Sequence, residues 1–363
     1  MELRINNQRT FGTDQLSGIR LVRQIDLITG RLIPDAMTVR LRCGQSLQPE
    51  TEGQKTVELY HKGRLQATQV LNRCTREADT QTLECQTDLD FLSLEFSGGL
   101  YVNKSLNSLM KDLLGDRGYE LSPDMDSFVS GHIPICDRSR ALEMVTFAQC
   151  AYMRMNSLGH FCMERLSLEN PVLLENERIL EAPVMVSLPE YSRVELVSHS
   201  YRLGSIWETV FREKEFPNLI HTYTFTEPKG QYQITNGEIK ESAYNYVTFL
   251  PGESETLLAL PYLHGRKWLS IRLLSGRDRM LSVQNNTLVG SHNENQVLEC
   301  MNQRVRLNHQ LKLRIFVENE VPGQAVAVET PWGSRFEGVI SRMDSHLTPE
   351  RHTAEITICG REV

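Results

Sequence analysis

Histidine and cysteine are the side chains in this sequence that could most readily bind a metal or act in catalysis. Ten histidines and eight cysteines are spread along the 363 residues. No histidine stands in an HExxH or HxH pattern, and no cysteine pair stands at CxxC or zinc-finger spacing. These spacings predict no metal site and no cofactor. The scattered cysteines are typical of reduced, mostly buried thiols, which indicates folding in a cytoplasm.

His160 and Cys162 could be considered a general base and a nucleophile because they are close in sequence. They stand two residues apart in a predicted hairpin strand, and that placement favours a surface ring and an inert thiol. The GxSxG, GxGxxG and GxxxxGK(S/T) motifs of acyl transfer, dinucleotide binding and nucleotide hydrolysis do not occur. We therefore predict that the protein is not an enzyme.

Carboxylates and tryptophans leave two alternatives open, a cell-wall hydrolase and a glycan-binding module. Asp88 with Asp90, or Asp124 with Asp126, could contribute to the facing pair of acids that glycoside hydrolysis needs, although such doublets more often mark solvated loops. Tryptophan rings can stack on sugars, but they are more often core or interface anchors. The three candidates are Trp207, Trp268 and Trp332.

Composition and charge are those of a soluble globular protein. Hydrophobic residues make up 40% of the sequence and charged residues 23%, and the length predicts two to four domains. A formal net charge of -7 disfavours specific nucleic-acid binding, because phosphate is bound mainly by Lys and Arg. The polar start lacks the apolar core of a signal peptide, and no apolar run is long enough for a membrane span.

Alternating apolar residues predict short antiparallel strands between about Ile19 and Thr87. The pattern is carried by Ile19, Leu21, Ile25, Val39, Leu41, Val57, Leu59, Val70, Leu83 and Cys85, and it is broken by Gly30, Gly44, Gly53 and Gly63. Lys62 and Gly63 lie where a hairpin turn is expected.

Two helices and a hairpin are predicted after Gly99. Ser105 caps a helix whose apolar stripe includes Leu109 and Leu113, and Gly115 ends it. Asp137 precedes a second helix, which has Leu142 and Val145 on its inward side and ends near Ala151. The runs 152–155 and 161–166 then form a hairpin. We expect these four stripe residues, Leu109, Leu113, Leu142 and Val145, to lie in the core of this unit.

Strand patterns return from Pro183 to the C-terminus, with one further helix. Asn236 and Gly237 predict a hairpin turn, and Asn295 is expected to begin a helix that carries Val297, Leu298, Met301 and Val305. Four strands follow, at 311–317, 325–328, 336–343 and 354–358. The turn formed by Thr330, Pro331, Trp332 and Gly333 is expected to anchor the last strands, and its alternative is an exposed hairpin tip.

The patterns together predict an α+β, mainly β class. We divide the chain into an N-terminal β region at 1–97, a small α/β domain of two helices and a hairpin at 98–168, a mostly β region at 169–285, and a helix with the C-terminal strands at 286–363.

Three segments resemble the hub protein of phage tails and of related prophage tails. They are residues 101–156 with the IPIC sequence before the second helix, residues 224–247, and residues 321–360 with their PG and TPWG turns. In this family, tube-like β-barrel domains pack into a ring, so the resemblance implies such barrels with the small helix-hairpin α/β domain inserted.

The resemblance also implies a structural role. A homotrimeric ring on the tail axis would link the tail tube protein to the spike or tail-tip protein, with the tape-measure protein as a further contact. DNA would pass through it without specific binding, and no membrane insertion is expected. The subunit would fold in the bacterial cytoplasm and become part of the virion tail or of a phage-tail-like particle. A fused cell-wall hydrolase, known in some family members, is not expected because the sequence ends at Val363.

Other components of the same particle remain alternatives to a hub. An acidic chain of short strands also suits a tail-tube, distal-tail or receptor-binding protein.

Overall fold

The computed structural model describes residues 1–42, 55–217, 219–252, 254–273 and 279–363. Strands dominate these residues, and three α-helices and two short 3-10 helices lie between them. The α+β, mainly β class is confirmed. Cys43, one of the eight thiols, and Gly44 and Gly53, two of the strand breakers, lie outside the described residues.

The first seven strands follow the alternating pattern of the sequence. Val39 and Leu41 face the core and Arg40 between them faces outward, because successive side chains of a strand point to opposite faces. Lys62 and Gly63 both have a positive φ and form the expected two-residue turn. The strands are β1 (Glu2–Ile5), β2 (Arg9–Phe11), β3 (Leu16–Gln24), β4 (Ala36–Arg42), β5 (Thr56–His61), β6 (Arg64–Glu77) and β7 (Thr80–Gln86).

The helix-bearing unit that follows contains both predicted helices. Ser105 caps the first, since its Oγ accepts from the amide of Ser108 at 3.4 Å, and Gly115 follows its last residue with φ +64°. Asp137 caps the second, because its Oδ1 accepts from the amide of Arg140 at 2.6 Å. The elements are β8 (Glu95–Phe96), β9 (Gly99–Ser105), α1 (Leu106–Leu114), β10 (Tyr119–Leu121), β11 (Phe128–Ile133), β12 (Cys136–Asp137), α2 (Arg138–Ala148), β13 (Ala151–Met155) and β14 (Phe161–Arg165).

The second helix ends earlier than the sequence predicts. Its last residue is Ala148, and Cys150 adopts a left-handed conformation with φ +58°. That conformation stops the helix, so the chain enters β13 at Ala151, where the helix was expected to end.

An outer unit of strands occupies residues 193–283. It follows two short strands, β15 (Val172–Leu174) and β16 (Val184–Ser187). Its strands are β17 (Arg193–Leu203), β18 (Glu208–Lys214), β19 (His221–Thr224), β20 (Lys229–Ile234), β21 (Glu238–Ser242), β22 (Tyr246–Leu250), β23 (Glu255–Arg272) and β24 (Met280–Val283).

The prediction of a β-hairpin at Asn236 and Gly237 is wrong. These residues connect β20 to β21, but β20 pairs with β23 and β21 pairs with β22, so the two strands belong to different sheets. The Asn236 amide donates instead to the carbonyl of Ser254 at 3.1 Å, which fixes the connection against the following segment. A local turn signal carries no information about such non-local pairing.

The third helix, α3 (Glu294–Val305), begins one residue before Asn295, its predicted start. Asn293 precedes the helix and ties it to the rest of the chain. Its Oδ1 accepts from the amide of Gly290 at 2.9 Å, and its Nδ2 donates to the carbonyls of Ala148 and Leu288, each at 3.2 Å.

The last four strands confirm the predicted C-terminal β pattern. They are β25 (His309–Phe316), β26 (Ala325–Glu329), β27 (Arg335–Leu347) and β28 (His352–Glu362). Their inward residues, among them Leu311, Val326, Phe336 and Ile356, are fully buried.

One sheet of thirteen strands joins the two ends of the chain. Its order is β16-β25-β28-β27-β3-β4-β7-β6-β5-β1-β2, with β26 beside β27 and β15 beside β26. The helix-bearing and outer units form separate, smaller sheets. The division at 97, 168 and 285 stays a prediction, because strand pairing alone does not define which parts fold independently.

Candidate assembly surface

Strand β27 joins two lobes of the large sheet. One of its edges pairs with β28 along its length, while the other pairs first with β26 and then with β3. Each lobe has its own apolar core: residues 3–85 with Leu347 fill one, and Leu174 with residues 311–358 fill the other. A single sheet thus carries two packed lobes, which we call the N-lobe and the C-lobe.

A layer of buried and half-buried polar residues lies where the lobes meet. Arg23 is placed opposite Met343 on the neighbouring strand, and Asp35 lies close enough for their charges to interact. Burial is the main cause of three shifts: it lowers the pKa of Arg23, raises the pKa of Asp35 to about 7, and lowers the pKa of His352 to about 4. The charge of Arg23 also lowers the pKa of His352, so these groups form one electrostatic cluster.

The large sheet is open at both ends. Within the described part of the chain, β16 pairs only with β25 and β2 pairs only with β1. Unpaired strand edges present backbone N–H and C=O groups that another strand can bind. β15 likewise pairs only with β26 among these residues, so the sheet has one unpaired edge on the N-lobe and two on the C-lobe.

Apolar side chains are exposed beside the C-lobe edge. Val184 and Val186 of β16 are 59% and 43% exposed, and Val172 and Leu173 of β15 are also exposed. We call these four residues the apolar edge. An exposed apolar patch on a strand edge is typical of a contact surface.

The four residues predicted as core, Leu109, Leu113, Leu142 and Val145, are all at most 1% exposed and belong to one apolar cluster. They bring α1 and α2 together over the small sheets of the helix-bearing unit. They lie inside this unit and not on a surface.

Pro331, Trp332 and Gly333 lie in the turn between β26 and β27. The amide of Gly333 donates to the carbonyl of Thr330 at 3.0 Å, and Gly333 takes φ +89°. The indole of Trp332 is 48% exposed, and its Nε1 donates to Glu362 Oε1 at 2.7 Å. The turn thus contacts the end of β28 through a polar link, and its role as an anchor stays a prediction.

We expect Trp332→Ala to lower the free energy of unfolding by about 1 kcal/mol, since it removes one hydrogen bond to a carboxylate and half-buried ring surface. Chemical denaturation of the purified chain measures this value. Trp332→Phe is the matched control, because it keeps a ring but not the N–H group. An unchanged free energy in both variants would mean that the turn is only an exposed tip.

The pair considered for nucleophilic chemistry is not arranged for it. Cys162 is buried, and burial raises the pKa of its thiol to about 12, which disfavours a thiolate. The ring of His160 approaches Glu120 instead, with Nδ1 3.8 Å from Oε1.

One carboxylate of each doublet forms an ion pair, and all three tryptophans are partly exposed. Asp88 pairs with Arg117 at 2.9 Å, and Asp126 pairs with Arg165 at 3.0 Å. Trp268 is more exposed than Trp207. Within the described ranges, no three His, Cys, Asp or Glu side chains are grouped to hold a metal ion.

Sequence reasoning missed the apolar edge and the polar layer. The VMVS run of β16 was visible, but its exposure depends on pairing with β25, more than a hundred residues away. Arg23 stands at an inward position of an alternating strand, where a charged residue is usually taken to face outward.

Comparison with solved structures finds close architectural matches at low sequence identity. The 43 kDa tail protein of prophage MuSo2 from Shewanella oneidensis matches 98% of this chain and 97% of its own length, with 10% identity and a TM-score of 0.61. The tail protein from Neisseria meningitidis MC58 matches 98% of this chain and 95% of its own length, with 10% identity and a TM-score of 0.57. Prophage tail protein gp18 from Listeria monocytogenes EGD-e matches 98% of this chain and 94% of its own length, with 6% identity and a TM-score of 0.53.

The sequence itself matches no protein-family model and no curated protein. None of the helices among the described residues is long and apolar enough to cross a membrane. The structural matches extend over nearly the whole of both chains, so they concern the complete architecture and not one shared motif. The resemblance predicted from the sequence is confirmed at the level of the fold: this chain has the fold of these prophage tail proteins.

Proposed function

We propose that this protein is a structural hub subunit at the baseplate or tail tip of a phage tail or phage-tail-like particle. It would link the tail tube to the spike and form a conduit on the tail axis. The observation that carries the proposal is the two-lobed sheet with unpaired edge strands on both lobes. The shared fold with prophage tail proteins supports it.

The proposed assembly is a homotrimeric ring. A closed ring needs a heterologous interface, in which the edge of one copy meets a different edge of the next. Strands β16 and β2 are such a pair, since they end the same sheet on different lobes. Each chain would contribute two tube-like β-barrel lobes, so three chains would give six similar positions around a six-fold tube. Each interface between neighbouring chains should bury more than about 1,000 Å².

The proposal includes the domain division at 1–97, 98–168, 169–285 and 286–363. β15 and β16, at the start of the third region, belong to the C-lobe, and the helix-bearing and outer units would lie outside the ring. Its partners would be the tail tube protein, the spike or tail-tip protein and the tape-measure protein. DNA would pass without specific binding, which suits the net charge of -7. No enzymatic activity is proposed, and assembly would take place in the bacterial cytoplasm.

A peripheral tail component is the second candidate. The outer unit exposes Ile206, Leu219 and Ile220, and apolar groups of this kind suit contacts away from the sheet. A distal-tail or receptor-binding protein would use such a surface.

Imaging of the assembled particle tests the proposal. Three copies should lie on the tail axis between the tube and the spike. Six copies would indicate a tube protein, and a position at the periphery would favour the second candidate.

We expect Val186→Lys to prevent ring formation while the monomer stays folded, because a buried ammonium at an interface centre is costly. Recovery of the chain with tail components should fall at least about tenfold, a change equivalent to about 1.4 kcal/mol, at an unchanged melting temperature. Val102→Lys is the matched control, since Val102 is exposed on the helix-bearing unit. Equal recovery of both variants would contradict a contact through β16.

A further inference from the structure

A cluster of histidines lies where the outer unit meets the helix-bearing unit. His199 and Tyr201 stand on β17, and His264 stands opposite Tyr201 on β23. The rings of Tyr201 and His264 are stacked with centroids 4.6 Å apart, and those of His199 and His264 are 5.1 Å apart. His132 of β11 meets the edge of Tyr201, with ring centroids 5.4 Å apart. None of these residues has a role in the proposed ring.

The hydrogen bonds fix which nitrogens carry protons. His199 Nε2 lies 3.0 Å from the carbonyl oxygen of Gln284, and a carbonyl can only accept, so this nitrogen is protonated. His199 Nδ1 lies 2.8 Å from His264 Nε2. One of these two nitrogens must donate, and if His199 is neutral, the donor is His264 Nε2.

The remaining nitrogen of His264 faces a carboxylate. His264 Nδ1 lies 3.4 Å from Glu227 Oε2, in the segment that connects β19 to β20. With both rings neutral, this nitrogen and the carboxylate are two acceptors facing each other, which is unfavourable. One added proton converts the contact into a charge-assisted hydrogen bond and leaves every other bond of the chain in place.

Neighbouring groups direct that proton to His264. Burial is the main cause that lowers the pKa of His199, and the charges of His264 and Arg266 lower it further, although Glu227 and the bond to Gln284 act in the opposite direction. His264 lies beside the carboxylate, and the face of Tyr201 favours a cation stacked on it.

His132 makes a separate set of bonds, and its burial, not these bonds, favours the neutral ring. The amide of Asn245 donates to the carbonyls of Ser97 and Ile133, so its oxygen accepts from His132 Nε2 at 2.7 Å. Burial is the main cause that lowers the pKa of His132. The charged and titratable groups facing the pair are therefore Glu227, Arg266, Tyr201 and His132.

We propose that His199, His264 and Glu227 form a proton-binding site, in which one proton on His264 holds the 225–228 segment against β17 and β23. Uptake of the proton closes the contact and its release opens it. Attachment of the 225–228 segment to β17 and β23 is then strongest at low pH and weakens as pH rises. This inference does not depend on the hub proposal, because every contact lies within one chain.

Hydrogen exchange of the full chain across pH tests the site. After correction for intrinsic rates, amides around 225–230 should be roughly tenfold better protected at about pH 5.5 than at about pH 8, the order expected of one charge-assisted hydrogen bond. Glu227→Gln should abolish this pH dependence and leave protection of α1 unchanged. Its carboxylate is 52% exposed, so the substitution should not prevent folding.

Glu238→Gln is the matched control, because Glu238 is an exposed carboxylate of the same outer unit. It should keep the wild-type profile. Nitrogen NMR of labelled histidines gives an independent readout, in which His264 should show a cationic ring at about pH 5.5 while His132 stays neutral. An unchanged profile in Glu227→Gln, or a neutral His264 at that pH, would overturn the proposal.

Discussion

Leu109→Ala is expected to lower the free energy of unfolding by about 2 to 5 kcal/mol, the usual cost of truncating a fully buried leucine. The side chain has no exposed surface and lies among the residues that pack α1 against α2. Its loss removes apolar contacts and leaves a cavity, because the caps at Ser105 and Asp137 fix both helices and limit how far they can move into the space.

Denaturant unfolding of the purified chain measures this effect. Leu158→Ala is the matched control in the same unit, because Leu158 is exposed in the turn between β13 and β14. It should change the free energy of unfolding by no more than about 0.5 kcal/mol. Equal values for the two variants would mean that Leu109 does not pack in a core.

The helices show how far sequence alone could lead. In α1, a single apolar stripe next to a polar face predicted the buried side, and Leu109, Met110 and Leu113 lie there. In α2 the apolar stripe predicted only some of the buried residues. Met144 and Phe147 are buried as well, and Phe147 packs against α3 while Met144 packs within its own unit. A helix covered on several sides has weak periodicity, so its full burial could not be predicted.

The large sheet depends on pairing between distant strands, which local sequence patterns do not predict. Strand alternation predicted most of β25 to β28, but not that β27 pairs with β3, more than three hundred residues away. The parallel pairing of β15 with β26 was equally hidden. Register between distant strands depends on which apolar faces share a core, and one sequence gives no direct signal of it. The candidate surface follows from these pairings, since they determine which edges stay open.

The buried polar layer between the lobes leads to a prediction about pH. His352 packs against His61 with ring centroids 5.7 Å apart, and among the described residues its Nε2 has no hydrogen-bond partner. Burial, aided by Arg23, lowers the pKa of His352 from 6.5 to about 4. The unfolded chain therefore binds a proton between these values and the folded chain does not, so His352 makes the protein less stable as pH falls from 6.5 to about 4.

Asp35 acts in the opposite direction over nearly the same range. Burial raises its pKa from 3.8 to about 7, so the folded chain holds a proton there that the unfolded chain releases. This contribution makes the protein less stable as pH rises from 3.8 to about 7. In the unmodified protein the two contributions offset each other between about pH 4 and pH 6.5.

Replacing His352 with glutamine removes the contribution of His352 to the pH dependence of stability and leaves that of Asp35. The free energy of unfolding that His352→Gln gains over the unmodified chain should be about 3 kcal/mol larger at pH 4 than at pH 7. This difference follows from the shift of the His352 pKa. Free energies of unfolding in denaturant at both pH values give this difference. His346→Gln is the matched control, because His346 lies on the adjacent strand with its side chain 52% exposed. The corresponding difference for His346→Gln should be much smaller. If His352→Gln gave no larger a difference than this control, His352 would have to take up its proton as readily in the folded chain as in the unfolded one, and the polar layer would be open to water.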